Sequence, residues 1–154
     1  MNNRTRKGFT ILEMIVSLAV IAMILAVVLN GLAGTRAKSH DTKRVEDIKQ
    51  LQNGLQLYYN DNRSYPATLD PDLLVPSYMK AMPKDPTTNQ NYLYAVFLIN
   101  GRCTNYHLGA TLEAVPPNTG VLETDFDLSV SPGSTCPTSA PDFDGTDPVY
   151  DVSP

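Results

Sequence analysis

Acidic side chains crowd the last part of the chain, around a turn that a glycine permits. Asp142, Asp144 and Asp147 stand close together, and Asp125 and Asp127 precede them. Carboxylate oxygens are the ligands that calcium prefers, so these five residues are candidate calcium ligands. The spacing is not that of an EF-hand, because no glutamate stands at the twelfth position. We favour the other interpretation, a solvated acidic tail without metal.

Groups suited to catalysis are scarce. His40 and His107 have no base, nucleophile or metal ligand at a useful spacing. We interpret His40 as a solvated helix residue and His107 as a strand residue. The motifs GxSxG, HExxH and CxxC and a glycine-rich phosphate loop do not occur in the sequence. The sequence therefore predicts a protein that is not an enzyme.

A single carboxylate, Glu13, interrupts the otherwise uncharged run from Phe9 to Leu29. Roughly 21 residues at about 1.5 Å each cover the 30 Å of a bilayer core, so the run predicts a transmembrane helix. A carboxylate at a helix centre in lipid costs about 2.5–3.5 kcal/mol, and less near an end. Glu13 is therefore expected to pair with a partner. Alternatively, it lies at headgroup level, where it suits the positive end of the helix dipole.

The basic residues Arg4, Arg6 and Lys7 precede this run, with no acid before them. The positive-inside tendency predicts a cytoplasmic amino terminus and an exported remainder. Two other interpretations stay open. A secretory signal could be cut at the small residues 33–35, although the run is longer than such signals have. A plain anchor helix would explain the run but not the position of Glu13.

Cys103 and Cys136 are the two cysteines of the chain, and both lie in the part predicted to be exported. In an oxidising compartment we expect them to form one disulfide, with two free thiols as the alternative.

The acidic balance after Cys103, eight acids and no Lys or Arg, argues against nucleic acid as a partner.

The positions of the prolines and the spacing of the apolar residues predict the helices and strands that hold these residues. All 12 prolines lie at or beyond Pro66, which permits a helix much longer than the membrane requires. Glycines near residue 31 could divide it, and we favour one continuous helix. Apolar residues at spacings of three and four give its second half one buried stripe, made of Val45, Ile48, Leu51, Leu55, Tyr58 and Tyr59.

A hairpin is predicted over residues 92–113. The alternating apolar residues on either side of Asn100-Gly101 favour two strands joined by a two-residue type I′ turn. Residues 60–86 hold six turn-forming dipeptides and at most one short helical turn, within Leu69 to Met79. The tail, 114–154, is expected to be loop-like. A sheet packed on the helix would give one core.

Gly8, Phe9, Thr10 and Glu13 after a basic leader resemble the processing motif of type IV pilins and of type II secretion pseudopilins. The resemblance implies that a prepilin peptidase cuts between Gly8 and Phe9 and methylates Phe9. It also implies that Glu13 pairs with the amino terminus of a neighbouring subunit during assembly. Residues 44–66 are similar to the stretch where the family's helix ends. Major pseudopilins bind calcium in their C-terminal loops, which adds to the calcium prediction above.

The fold expected from the residues and the resemblance is α+β and pilin-like, with a long helix on a small antiparallel sheet. We divide it into a leader (1–8), a transmembrane and assembly helix (9–29), an amphipathic helix (30–60) and a head (61–154) with a hairpin and a loop-rich acidic tail. The expected location is the cytoplasmic membrane, with the amino terminus inside and the head in the periplasm or outside the cell.

The function that the resemblance implies is that of a filament subunit, foremost a pseudopilin of type II secretion. A pilin of a type IV pilus is the first alternative. A membrane-anchored binding module that never polymerises is the alternative of another class. The implied partners are other copies of the chain, minor pilin-like subunits, the prepilin peptidase, the inner-membrane assembly platform and membrane lipid. Calcium is the one candidate cofactor.

Overall fold

One helix, α1 (Ile11–Asn62), forms the first part of the molecule. The computed structural model describes residues 8–115, 120–123, 125–126 and 135–154. Thr10 begins the helix, because its side-chain oxygen accepts the backbone N–H of Glu13 at 3.3 Å and so satisfies a donor that every helix start leaves open. No proline interrupts the 52 residues of α1, and the single continuous helix is confirmed.

The chain divides into two compact units between Arg36 and Ala37. The first unit holds the apolar stretch Ile11–Val28, whose mean hydropathy is 2.8. The second unit holds the rest of α1 together with the other helices and the sheet. The predicted core and the predicted disulfide both belong to this second unit.

After α1 the chain returns along the helix to the sheet. Helix α2 (Pro71–Leu74) is the short helical turn that the sequence predicts here, and the side chain of Asp70 caps it by accepting the N–H of Asp72 at 2.9 Å. The Tyr65 N–H donates to the carbonyl of Cys103 at 2.7 Å, which fixes the connection to the sheet.

Strands β1 (Leu93–Ile99) and β2 (Arg102–Thr111) form the predicted antiparallel hairpin. Asn100 and Gly101 both have positive φ, 53° and 77°, which is what a type I′ turn requires of its two central residues. The register shifts once, between Phe97 and Leu98. The hairpin and its turn are therefore confirmed.

A third strand, β3 (Val149–Val152), pairs antiparallel with β2 and gives the sheet order β1-β2-β3. The sequence predicts a loop-rich tail and does not indicate this strand of four residues. A run of four residues directly after Pro148 is too short to show the alternation by which strands are recognised. The tail also contains a short 3₁₀-helix, Gly120–Leu122.

The core lies between the second half of α1 and the inner face of the sheet. Ile48, Leu51 and Leu55 are fully buried, as their spacing predicts. Val45, Tyr58 and Tyr59 from the same predicted stripe are only partly buried. The connection and the sheet complete the core with Tyr65, Leu69, Leu74, Tyr92, Tyr94, Val96, Tyr106, Leu108, Ala110 and Cys136.

The predicted disulfide is present between Cys103 and Cys136, with an S–S distance of 2.09 Å and a sequence separation of 33 residues. Next to it, the N–H of Cys136 donates to the carbonyl of Val96 at 2.8 Å, and Thr135 bridges Phe97. The disulfide therefore fastens the tail along the free edge of β1 and to the start of β2.

Replacing both cysteines by serine is expected to lower the free energy of unfolding by about 3–4 kcal/mol. The unfolded chain then regains the conformational entropy that the disulfide removes by closing a loop with a sequence separation of 33 residues. Denaturant titration of the full chain in detergent measures this difference. The parent chain after reduction and alkylation should show a loss similar to that of the double variant. Equal stability of the oxidised parent and the double variant would contradict the prediction.

Candidate functional site

The amino-terminal segment places three of the predicted site residues next to one another at the start of α1. Gly8 and Phe9 precede the helix, and Glu13 lies in its first turn. Phe9 is 77 % exposed, and a Cβ built on Gly8 would meet no atom within 4 Å. The peptide bond between Gly8 and Phe9 is thus open to an enzyme from outside. The basic residues 4, 6 and 7 lie outside the described part of the chain.

The helix that follows carries an apolar surface with no cover from the described residues. The stretch Ile11–Val28 is long and apolar enough to cross a membrane, and none of it is buried within the chain. Exposed apolar patches of this extent mark a surface for lipid or for other protein chains. Glu13 is also exposed and is the one charged side chain of the stretch. Any partner that covers the apolar surface therefore meets this carboxylate.

In the second unit, Arg44 forms the centre of an ionic cluster. Its Nη1 lies 2.8 Å from Oδ1 of Asp41, its Nε lies 2.6 Å from Oδ2 of Asp85, and its Nη2 contacts Glu113. The Nη2 also donates to Thr87 at 3.0 Å. Arg44 and Asp41 are both buried. One guanidinium thus joins α1 to the loop before β1 and to the end of β2.

Asp41 extends the cluster to the backbone after β2. Its two carboxylate oxygens accept the N–H groups of Glu113 at 2.9 Å and of Ala114 at 2.7 Å. On the neighbouring turn of the helix, the buried Asp47 accepts from Tyr92 Oη at 2.8 Å and from Lys43 Nζ at 2.6 Å. Asp47 is fully buried although it lies outside the predicted apolar stripe, because these two partners satisfy its carboxylate.

The guanidinium of Arg44 lowers the pKa of Asp85 well below its usual range, against the opposing effect of burial. Backbone N–H groups of Thr87 and Thr88 act in the same direction. The pKa of Glu113 is lowered as well, first by its hydrogen bond to Arg44. Both carboxylates are therefore ionised at neutral pH, and in the folded state their negative charge is stabilised by Arg44.

Acid is expected to destabilise the second unit through this cluster. A carboxylate with a depressed folded pKa contributes stability above its unfolded pKa, and the contribution is lost as the pH falls towards the folded value. The contribution of Asp85 and Glu113 to stability should therefore stay level above pH ~5 and fall below pH ~4, where an unfolded aspartate binds its proton. Thermal unfolding measured across this pH range tests the expected loss of stability in acid. Asp85→Asn should be less stable at neutral pH but fall less steeply in acid, and a slope equal to the parent's would contradict the assignment.

His107, on β2, lies between two carboxylates. Its Nδ1 is 2.8 Å from Oδ1 of Asp142, and its Nε2 is 2.6 Å from Oδ2 of Asp151. The ring of Phe143 stacks on the imidazole with centroids 3.8 Å apart. His107 and Asp151 are fully buried. Burial by itself lowers the pKa of His107, but the hydrogen bonds to Asp151 and Asp142 outweigh it and raise the pKa.

The predicted calcium ligands are not gathered around one centre in the described residues. Asp142 bonds to His107, Asp144 accepts the N–H of Thr146 at 3.1 Å, and Asp125 accepts the N–H of Asp151 at 3.4 Å. No three His, Cys, Asp or Glu side chains of the described chain come together as ligands of one metal. As placed, these donors do not fit calcium. Asp127 lies outside the described residues, so the predicted set as a whole stays a prediction.

Sequence reasoning missed both polar clusters, although a signal existed for the first. Asp41 and Arg44 continue the spacing of Ile48, Leu51 and Leu55 toward the amino terminus, so they lie on the buried stripe of the helix. His107 was interpreted as a strand residue without partners, and its two carboxylate partners stand 35 and 44 residues away. His40 lies in the helix, as predicted, but it is only partly exposed: its Nδ1 is 3.4 Å from Oγ1 of Thr87 and 3.8 Å from Oε2 of Glu113.

The first half of the long helix is apolar and exposed, and its second half packs on an antiparallel hairpin. These features define a pilin-like protein of the α+β class. Residues 3–29 match the family model of the prokaryotic N-terminal methylation motif. The match contains Gly8, Phe9 and Glu13, the residues singled out above. No solved structure is significantly similar to the chain.

The curated relatives narrow this class. Type II secretion system core protein G of Aeromonas hydrophila is 33% identical over 104 residues, which are 58% of this chain and 73% of the relative. The protein of the same name from Vibrio cholerae is 32% identical over 121 residues, 70% of this chain and 82% of the relative. The chain belongs to the family of type II secretion system core protein G. The type IV wide pilus major component of Thermus thermophilus is 26% identical over 140 residues, 87% of this chain and 99% of the relative.

Proposed function

We propose that the chain is the subunit of a pilin-like filament that serves type II secretion. The observation that carries the proposal is the exposed apolar stretch Ile11–Val28, with Glu13 in its first turn and an accessible Gly8-Phe9 bond just before it. The stretch is inserted in the cytoplasmic membrane first. It then packs against the same stretch of other copies in the filament.

Processing precedes assembly. A prepilin peptidase removes residues 1–8 and methylates the new amino terminus at Phe9, in keeping with the methylation motif that residues 3–29 match. The freed ammonium group of one copy is then the counter-charge for Glu13 of the next copy. An ion pair of this kind offsets the cost of holding a carboxylate in an apolar environment.

The intact mass of the protein extracted from membranes tests this step. The expected mass is that of a chain that begins at Phe9 and carries one additional methyl group. The same chain expressed without the peptidase is the matched control and should keep all 154 residues. A mature chain that begins at any other residue would refute the proposed processing.

The topology follows from the same segment. The amino terminus lies in the cytoplasm, and the second unit lies in the periplasm or, after assembly, in the filament. The disulfide between Cys103 and Cys136 supports an oxidising location for this unit. The partners are further copies, minor pilin-like subunits, the inner-membrane assembly platform and lipid. The relatives are structural components by name, and we propose a structural rather than an enzymatic role.

A pilus subunit is the second candidate function, because the pilus component of Thermus thermophilus matches almost along its whole length. Deletion of the gene distinguishes the two. Loss of protein release with surface pili intact is expected for the secretion role, whereas loss of pili with secretion intact would establish the pilus role. If the chain is instead a membrane-anchored binding module that never polymerises, its deletion would leave protein release and surface pili unchanged. Its overexpression would then yield no filaments.

A further inference from the structure

The outer face of β2 is covered by the last part of the chain, and His107 lies at the centre of the contact. The helix covers the inner face through Tyr106 and Leu108, yet all five residues from Tyr106 to Ala110 are buried. The cover on the outer face comes from residues 142–145, which precede β3: Asp142 and Phe143 contact His107, and Gly145 passes beside its ring. A two-layer fold of helix and sheet requires only one face of the sheet to be buried, so the burial of the second face needs a separate cause.

We infer that His107 closes the C-terminal segment 142–152 onto the sheet and that this closure needs no calcium. The inference concerns the head alone and is independent of the proposed filament role. It departs from what the family resemblance implies, namely that calcium organises the C-terminal loops. In this chain a side chain of the sheet, His107, joins two acidic groups of the tail directly.

The contacts of the segment converge on the imidazole ring. Asp142 and Asp151, near the two ends of the segment, bond to the two ring nitrogens at 2.8 and 2.6 Å, and Phe143 stacks on the ring face. A Cβ built on Gly145 would lie 3.0 Å from Nε2 of His107 and even closer to the carboxylate of Asp151. Only glycine therefore lets the backbone pass this close to the pair.

The strand is shaped for the same contact. A Cβ on Gly109, two residues after His107 and on the same face of β2, would lie 2.8 Å from the ring of Phe143 and 3.1 Å from Val149. The absence of a side chain at Gly109 thus makes room for the ring that stacks on His107. Both glycines fit a segment closed directly on the strand, without an ion in between.

The donor chemistry argues against calcium at this position. Calcium takes about 6–8 oxygen ligands at 2.3–2.6 Å, and an imidazole nitrogen is not among its usual ligands. The carboxylates of Asp142 and Asp151 contact opposite nitrogens of one ring, which keeps them on its two sides. Charge-assisted hydrogen bonds between a ring N–H and a carboxylate supply the attraction that a cation would otherwise supply.

Hydrogen exchange and thermal unfolding of the full chain in detergent test the calcium part. Melting temperature and the protection of peptides from residues 142–152 are expected to be the same in calcium as in chelator. A lower melting temperature or a loss of protection in chelator would overturn the inference, because closure would then depend on a bound cation.

The His107→Asn variant tests the other part, in chelator. Amide exchange in residues 142–152 should become at least about tenfold faster, as local opening no longer breaks the two buried hydrogen bonds. His40→Asn, at the partly exposed histidine of α1 whose contacts are to Thr87 and Glu113, is the matched control, and its residues 142–152 should exchange like those of the parent. Unchanged protection in His107→Asn would overturn the inference.

A second variant covers the case in which His107→Asn does not fold. Asp142→Asn keeps the bond between His107 and Asp151 and should accelerate exchange mainly over residues 142–146. Protection of that stretch equal to the parent's would contradict the role assigned to His107.

Discussion

Replacing Glu13 by alanine is expected to stop filament assembly while the chain still inserts in the membrane. Alanine removes a carboxylate that opposes insertion, so the helix should enter lipid at least as well as before. In the proposed filament, however, the ammonium group at Phe9 of a neighbouring copy would lose the partner that we assign to it. An unpaired charge costs up to about 2.5–3.5 kcal/mol in such an apolar environment, so subunit association should weaken by as much as roughly 100-fold, which leaves few filaments.

Sheared filaments and membrane fractions from the same cells give the two measurements. The Glu13→Ala variant should be present in the membrane fraction, processed, and missing from the filament fraction. Ser17→Ala is the matched control one helical turn later. The Ser17 hydroxyl donates to the carbonyl of Met14 within the same helix at 2.9 Å, so its loss should leave assembly intact. Normal filaments from Glu13→Ala would refute the role of the carboxylate in assembly.

The parts of the fold that were predictable are those that local sequence determines. The hairpin follows from Asn100-Gly101, because few other dipeptides place two successive residues at positive φ without strain. The continuous helix follows from the lack of proline before Pro66. Ile48, Leu51 and Leu55 are buried because their spacing places them on one face. Each of these features depends on residues within a few positions of one another.

The parts that were missed depend on residues far apart in the chain. Asp85 and Glu113 reach Arg44 across 41 and 69 residues, and nothing in the local pattern around either acid indicates a guanidinium. His107 meets Asp151 only because β3 pairs with β2, and β3 itself was not predicted. Acidic residues that look like a solvated tail or a metal site can thus be internal hydrogen-bond acceptors, which periodicity alone does not distinguish.

The amino-terminal motif could be recognised from the sequence alone, and for a physical reason. Its chemistry is carried by a contiguous segment: the bond after Gly8, the residue Phe9 and the carboxylate of Glu13 lie within six positions. Residues this close in the chain are held near one another by their own backbone, so no tertiary contact is needed to assemble the motif. The structure adds the cap at Thr10, which begins the helix where the processed chain would start.

Replacing Arg44 by methionine is expected to lower the free energy of unfolding of the second unit by about 3–5 kcal/mol. Methionine retains much of the side chain's volume, so the loss comes from the charge and the hydrogen bonds. Asp41 would remain buried without the guanidinium, and Asp85 would lose its main counter-charge. Glu113 is 39 % exposed and should contribute less, because water replaces part of what it loses.

Denaturant unfolding of Arg44→Met, with Lys49→Met as the matched control, measures this cost. Lys49 is an exposed lysine on the same helix, and its replacement should change stability by less than about 0.5 kcal/mol. Arg44→Lys should lie between Arg44→Met and the parent, since one ammonium cannot reproduce the forked contacts to Asp85 and Asp41. If Arg44→Met unfolds at the same denaturant concentration as the parent, the buried cluster does not hold α1 to the sheet. If Asp85→Asn costs as much in the Arg44→Met background as it does alone, the two side chains act independently.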